Sequence, residues 1–308
     1  MRRFTLIYII CAMVHLALPA QVASDFAASA RGGNAVAQYN LAQCYRYGWG
    51  VEANTTSWLH YLRLSAEGGE AKAKADLADH LLGIAPEVAA YWRGEEGEQS
   101  LNYSYRSFDE GCYYGELSYG TRDGYGTFVW DSGTCYTGCW DSGVRYGVGI
   151  TRFDTMLLFA NHTGGAHGYG AALITHPDHH WAGAEGSVRY VGYLENGTPN
   201  GTGTLYDSEG AVTYYGNFSS GVPTGIYPTT ESFSSYRWAQ EVMPNGDTWE
   251  GEMMGGVREG FGIYTWEDGS RWYGFWENGI RHGIGLYVRT DGALLGGNWE
   301  MGELRIEK

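Results

Sequence analysis

The spacing of apolar and polar positions changes once along the chain. Through residues 33–83 the apolar residues are mostly small and fall at helical intervals: Ala35, Ala37, Leu41 and Ala42, then Leu59, Leu62 and Ala66, then Ala71, Ala73, Leu77 and Ala78. The first and third groups are offset by 36 residues, and Gly33 matches Gly69 at the same offset. Small residues at this spacing let helices approach closely, the logic of a stacked αα-hairpin. From about residue 111 the period becomes two, which predicts strands. The stretch between, 84–110, holds Pro86 and an acidic, glycine-containing run from Gly94 to Gln99, and reads as a connector with a bend.

Within the alternating region one unit recurs: a large residue, any residue, glycine, any residue, a large residue. It appears as Tyr113/Gly115/Leu117, Tyr136/Gly138/Trp140, Tyr190/Gly192/Leu194, Tyr214/Gly216/Phe218, Trp249/Gly251/Met253, Trp272/Gly274/Trp276 and Leu295/Gly297/Trp299. In most units a Gly-x-Gly follows nine residues after the central glycine, as at Gly124/Gly126 and Gly283/Gly285. The clean copies repeat every 23 residues, from 115 to 138 and from 251 through 274 to 297. On a strand, Trp272, Gly274 and Trp276 share one face, and an aromatic ring from a neighbouring strand can cover the gap the glycine leaves. The Gly-x-Gly segment is the return strand, and Asp141-Ser142-Gly143, Asn196-Gly197, Asn278-Gly279 and a longer Gly255–Glu259 segment are turns. Each unit is then a β-hairpin that buries little alone, and stacking makes one long antiparallel sheet. Eight units start near 113, 136, 158, 190, 214, 249, 272 and 295. The third has Leu158-Phe159-Ala160 in place of the aromatic and glycine. Extra residues at 177–189 and at Tyr227–Asn245 are places where the array can kink, and the last unit is half a hairpin.

These units, above all Asn278-Gly279-Ile280-Arg281-His282-Gly283-Ile284-Gly285, resemble the MORN repeat family over residues 111–302. The helical segment, through its Ala-Gln-Tyr-Asn-Leu and Tyr-Gly-Trp-Gly-Val stretches, resembles Sel1-like repeats over 33–83. The expected fold class is therefore mainly β, an elongated single antiparallel sheet of hairpins preceded by a small α-helical segment. The Sel1-like resemblance implies protein–protein interaction, and the MORN resemblance implies interaction with proteins or membranes.

Composition sharpens this picture. Arg2 and Arg3 precede the apolar run Phe4–Ala20, and Val22-Ala23-Ser24 is a plausible cleavage site, so residues 1–24 read as a secretory signal peptide. Export from the cytoplasm is the expected localisation. Removal of that leader would leave 18 basic residues against 35 acidic, a net charge near −17. Such a surface repels nucleic acid and anionic lipid, so nucleic acid is excluded as a partner, while a membrane association remains an alternative. Cys44, Cys112, Cys135 and Cys139 would remain. Cys112 and Cys135 occupy equivalent positions two strands apart, roughly 9.5 Å, beyond disulfide reach. Asn-x-Ser/Thr occurs at Asn54, Asn102, Asn161, Asn196, Asn200 and Asn217, six of the eleven asparagines. In a eukaryotic secretory chain these are glycan acceptors; the alternative reading is turn chemistry.

Candidate chemistry is sparse. The Gly-x-Gly pairs recur with the repeat and lack a P-loop lysine, so they are structural. No nucleophile elbow or catalytic triad is present, no cofactor is expected, and the chain reads as non-enzymatic. His176, Asp178 and His180 form the stronger of two weak candidate sets for a metal, the other being the thiols of Cys112, Cys135 and Cys139. The remaining candidates are aromatic faces. Tyr136, Trp140, Trp249, Trp272, Trp276 and Trp299 are the expected binding residues, with Gly115, Gly138, Gly192, Gly216, Gly251, Gly274 and Gly297 as structural glycines. The leading expectation is an exported adaptor that binds a partner protein.

Overall fold

The structure, a computed structural model, describes residues 19–95, 102–176, 186–224 and 235–305. It contains two compact units. The first gathers residues up to 95 with the short segments 107–112 and 129–133; the second gathers 113–128 and the residues from 134 onward.

The first unit is built on five helices: α1 (Pro19–Arg31), α2 (Ala35–Tyr47), α3 (Thr55–Glu67), α4 (Ala71–Leu81) and α5 (Pro86–Arg93). Asn34 and Asn54 cap α2 and α3, each side-chain oxygen accepting a backbone N–H at 2.8 Å. Consecutive helices neighbour one another, and Leu41, Ala42, Leu62, Ala66, Ala73, Leu77 and Ala78 are buried as their spacing predicts. The helices approach so closely that a Cβ on Gly68 would lie 2.8 Å from the Cβ of Ala35. The stretch expected to be only a connector is more ordered than that. Pro86 opens α5, where its missing N–H costs nothing at the first turn, and Ser104–Phe108 forms strand β1. Helix α1 runs through the expected leader cleavage point, with Ala23 and Ala30 buried against Leu41 and Cys44.

One charged network organises this unit. Arg63 is buried, and its Nε and Nη2 donate to the two carboxylate oxygens of Asp131 at 2.8 Å each. Its Nη1 reaches Glu67 at 3.0 Å and Ser107 at 2.9 Å, and His60 Nδ1 lies 2.8 Å from Asp131. Burial opposes the Asp131 charge, but hydrogen bonds from Arg63 and His60 hold its carboxyl below the usual range.

The second unit carries the hairpins, and the molecule is mainly β, with 52% of the described residues in strands. The eight expected units are the pairs β2 (Gly111–Ser118) with β3 (Thr121–Trp130), β4 (Cys135–Asp141) with β5 (Val144–Arg152), β6 (Met156–Thr163) with β7 (Ala166–Ile174), β8 (Ser187–Glu195) with β9 (Thr198–Asp207), β10 (Val212–Ser219) with β11 (Val222–Thr224), β13 (Thr248–Met254) with β14 (Val257–Thr265), β15 (Arg271–Glu277) with β16 (Ile280–Val288), and β17 (Leu294–Glu300) with β18 (Glu303–Arg305). Their turns are tight, and in every unit but the third both central residues have positive φ, as at Asn278 (50°) and Gly279 (79°); in the third only Gly164 does. The turn expected over Gly255–Glu259 is only Gly255-Gly256, since β14 already begins at Val257.

Strand order is sequential throughout, but the single sheet expected is divided once. Strands β1–β11 form one sheet, and β12 (Tyr236–Val242), part of the second insertion, opens another that ends at β18. At the first insertion the ladder continues, β7 pairing with β8. The two sheets meet face to face. Val148, Ile150, Phe159, Val191 and Tyr206 of the first share one core with Phe261, Tyr273, Leu286, Val288 and Leu294 of the second. Tyr125 Oη donates to Gly296 O at 2.6 Å and accepts from Gly296 N at 3.0 Å. The array doubles back because the face opposite the glycines is also apolar; an open sheet would leave that face in water.

The glycine-bearing face is covered from within its own sheet. Gly274 pairs with Gly285 across the β15–β16 ladder, and the Trp272 ring lies over both. The covering ring thus comes from two residues earlier on the same strand, not from a neighbour as expected. Tyr113 over Gly115 and Gly126, Tyr136 over Gly138 and Gly149, Tyr190 over Gly192 and Gly203, and Trp249 over Gly251 and Gly262 repeat the arrangement. In the tyrosine units the hydroxyl donates to the carbonyl three residues on, at 2.9 Å for Tyr113, 3.0 Å for Tyr136 and 2.7 Å for Tyr190.

Two outcomes follow from this packing. Gly285→Ala puts a methyl into the Trp272 ring and lowers unfolding free energy by about 1–3 kcal/mol, whereas Gly83→Ala, with open space around it, stays within about 0.5 kcal/mol; urea titration reads both. Asp131→Ala strands the buried Arg63 charge and costs about 3–5 kcal/mol in the same assay, against at most about 1 kcal/mol for Asp79→Ala in the exposed pair with Arg93.

Candidate functional site

The six expected binding aromatics are all buried. Tyr136, Trp140, Trp249, Trp272, Trp276 and Trp299 lie on the glycine-bearing face, and the last four form one cluster with Met253. A guanidinium covers them in four units. Arg122 stands 4.5 Å from the Trp140 ring centroid, Arg145 5.6 Å from Tyr136, Arg258 5.2 Å from Trp249 and Arg281 4.8 Å from Trp299. Each arginine sits two residues before the first glycine of its Gly-x-Gly, a repeat position that sequence reasoning passed over. The glycine face is therefore layered: glycine pair, aromatic ring, guanidinium. Gly115, Gly138, Gly192, Gly216, Gly251, Gly274 and Gly297 lie within strands, and a Cβ at Gly115, Gly138, Gly192, Gly251 or Gly274 would collide with backbone and ring.

Four exposed tyrosines stand on the opposite face. Tyr146, Tyr169, Tyr193 and Tyr215, on β5, β7, β8 and β10, retain 55%, 43%, 52% and 40% exposure. Tyr169 and Tyr193 meet edge to face at 5.3 Å, and Tyr169 lies 5.2 Å from Phe275 of the other sheet. The signal for these residues is their register, odd with respect to the glycines, which the strict recurrence of the Tyr-x-Gly unit obscures.

Beside this stripe sits a buried carboxyl. Glu252 follows Gly251 at a β-bulge, and its Oε2 accepts the Phe261 N–H at 2.7 Å, as Glu116 accepts from Tyr125 in the first unit. Its Oε1 accepts from Tyr206 Oη at 2.5 Å. Burial pushes its pKa up to about 7, against the pull of those hydrogen bonds. His162, buried against Tyr136 on the glycine face, is displaced the other way: burial, aided by Arg145, takes it down to about 4.

Of the concavities lined by polar groups, two are of interest. One, of about 450 Å³, opens on the inner face of the second sheet between Gln240, Glu250, Arg271, Tyr273 and Leu157. There Arg152 and Arg271 both donate to the Tyr273 hydroxyl, at 3.0 and 3.4 Å; burial raises the phenol's pKa, but the two guanidiniums outweigh it and the net shift is downward. The other, of about 430 Å³ and inside the first unit, is lined by Tyr45, His60, Tyr61, Asp109 and Trp130. Of the weak metal candidates, His176 is exposed, while Asp178 and His180 fall outside the described residues. Among the described residues no three His, Cys, Asp or Glu side chains come together around a metal-sized space. Among the described residues Cys44, Cys112, Cys135 and Cys139 form no disulfide, and burial pushes Cys139 up to about 11.

These features define a protein of stacked β-hairpins whose recurring residues form its own core. The MORN repeat family model matches residues 113–135, 190–212, 249–271 and 272–294, so the chain carries MORN repeats, modules that commonly engage proteins or membranes and are generally scaffolds rather than enzymes. No curated protein matches the chain. A solved structure, the SAS-4 (dCPAP) TCP domain in complex with a proline-rich motif of Ana2 (dSTIL) of Drosophila melanogaster, is similar at 9% identity and a TM-score of 0.19, over 57% of this chain and 84% of that one.

The two displaced titrations oppose each other. Glu252 binds its proton more tightly when folded, so its contribution to stability is complete below pH 4.5 and is lost as pH rises through 7. His162 binds its proton more weakly when folded, so its contribution is present above pH 6.5 and is lost as pH falls through 4. Between those limits their slopes cancel. Glu252→Gln should therefore unmask a rise in stability from pH 4 to 6.5, and His162→Phe a fall from pH 4.5 to 7, each on the order of 3 kcal/mol. Urea midpoints measured across this range check both slopes against the wild type.

Proposed function

We propose that the chain is an exported, non-enzymatic adaptor that holds a protein partner. One observation carries the reading: the residues that recur from unit to unit are spent on glycine-covering and inter-sheet packing, so the surface is free to vary while the scaffold stays fixed. The Sel1-like resemblance of α2–α4 and the leader-like N-terminus support a scaffold working outside the cytoplasm. The acidic balance, 35 Asp and Glu against 20 Lys and Arg, suits a basic partner and disfavours anionic lipid surfaces.

The test uses the full chain as bait in native extract beside a version with its surface charges scrambled. The adaptor reading predicts a defined protein retained on the native chain alone, released progressively between about 0.1 and 1 M salt as screening shortens. Flotation with vesicles of anionic lipid is expected to leave the chain at the bottom of the gradient. A chain that floats with those vesicles and retains no protein above the scrambled control would replace the adaptor reading with a membrane one.

A further inference from the structure

Two features remain that neither packing nor the adaptor reading uses: the exposed tyrosine stripe and the abundance of Asn-x-Ser/Thr triplets. The structure separates these triplets by cause. Asn196 has φ 51° in a two-residue turn with Gly197, the conformation of Asn278-Gly279, where Ile280 replaces the hydroxyl residue. Asn54 caps a helix just as Asn34 does, and Asn34 has no Ser or Thr two residues on. Turn and cap chemistry therefore account for those two asparagines without a further role.

Asn161, Asn200 and Asn217 are different. They lie within strands β6, β9 and β10, where asparagine is disfavoured. Asn161 and Asn217 are exposed and Asn200 is half-buried. By register Asn161 and Asn217 point to the face opposite the glycines, the face that carries Tyr146, Tyr169, Tyr193 and Tyr215, and Asn200 has the strand parity of Thr202, the partner of Asn217. Tyr215 precedes Asn217 by two residues, so the two share that face of β10. Asn217 Oδ1 accepts from Thr202 Oγ1 at 3.0 Å, which brings the triplet of Asn200 against that of Asn217.

We propose that Asn161, Asn200 and Asn217 carry N-linked oligosaccharides whose innermost sugars cover the adjacent tyrosines. The reading rests on export, since the donor is a polyprenyl-diphosphate oligosaccharide on the lumenal side of a secretory membrane. In the transfer, the side-chain amide nitrogen bonds to C1 of the first sugar, the C1–oxygen bond to diphosphate breaks, the lipid diphosphate leaves with the electron pair, and a base takes one amide proton. The linked amide keeps its other N–H, so the contact of Asn200 with Glu195 survives modification. Sugar rings present an apolar face to an aromatic ring, and four exposed tyrosines along one face are a surface that gains from such cover.

The test secretes the full chain from eukaryotic cells behind an unrelated leader, so that its outcome is independent of the native leader. Treatment with a peptide N-glycosidase, which hydrolyses the amide bond to the first sugar, in oxygen-18 water should convert Asn161, Asn200 and Asn217 to labelled aspartate. Asn161→Gln, Asn200→Gln and Asn217→Gln should each remove one glycan, and Thr163→Ala, Thr202→Ala and Ser219→Ala should do the same while leaving the asparagine in place. Nitration of Tyr193 and Tyr215 should rise several-fold once the glycans are removed from the folded protein. Unmodified asparagine at these three positions, or occupancy confined to Asn54, Asn102 and Asn196, overturns the proposal; unchanged nitration overturns the cover. Glycosylation behind the unrelated leader with no secretion from the native one supports the acceptor sites and overturns export instead.

Discussion

The structure depends on a ring lying across two facing glycines. A pleated strand with glycine at one position has a hole where a side chain would stand, and glycine there also raises the entropic cost of ordering the strand. Pairing Gly274 with Gly285 doubles the hole and makes it wide enough for the indole of Trp272 to lie flat on the backbone. The ring is then buried without any contribution from a second layer. The same solution recurs at Tyr113, Tyr136, Tyr190 and Trp249, which is why these hairpins can cover one of their faces using their own residues and their neighbours'. The arginine over the ring completes the cover with a group that tolerates water.

That local solution frees the other face. Because the glycine side closes on itself, the opposite side can pack against a second sheet, and the interruption before β12 lets it do so. The bulge after the central glycine serves this second purpose. It leaves an N–H without its ladder partner, and a carboxylate at Glu116 or Glu252 accepts it. In the sixth unit that carboxylate is caught between sheets, where Tyr206 answers it and burial keeps it close to neutral. Where the second sheet ends, the same face is left open and carries tyrosine and asparagine instead of valine and isoleucine.

Much of this was legible in the residues. The starts of all eight hairpins, the glycine roles and the helical segment follow from spacing alone, because period is a backbone property that tertiary packing seldom overrides. The doubling back was not read, although its signal is present: in the middle of β5 and β14, Gly147-Val148-Gly149-Ile150 and Gly260-Phe261-Gly262-Ile263, both parities are apolar or glycine, and a strand apolar on both faces is covered on both. The helix opened by Pro86 was missed because proline there acts at a first turn, not as a breaker. The aromatics chosen as binding residues failed for a related reason. Strict recurrence marks what every unit needs, which is packing, so Trp272 and Trp249 are buried while the irregular Tyr169, Tyr193 and Tyr215 are exposed.

The doubling back is the most direct thing to measure, because it fixes which face is core and which is surface. Spin labels at Tyr146→Cys on β5 and Leu295→Cys on β17, in a Cys139→Ser background, report the distance between two exposed positions twelve strands apart in order. Sheets packed face to face stand about 10 Å apart, so with the label arms the account predicts a narrow distribution below about 30 Å. A continuous open ladder at about 4.8 Å per strand would place the labels near 60 Å, and a distance of that size would contradict the account.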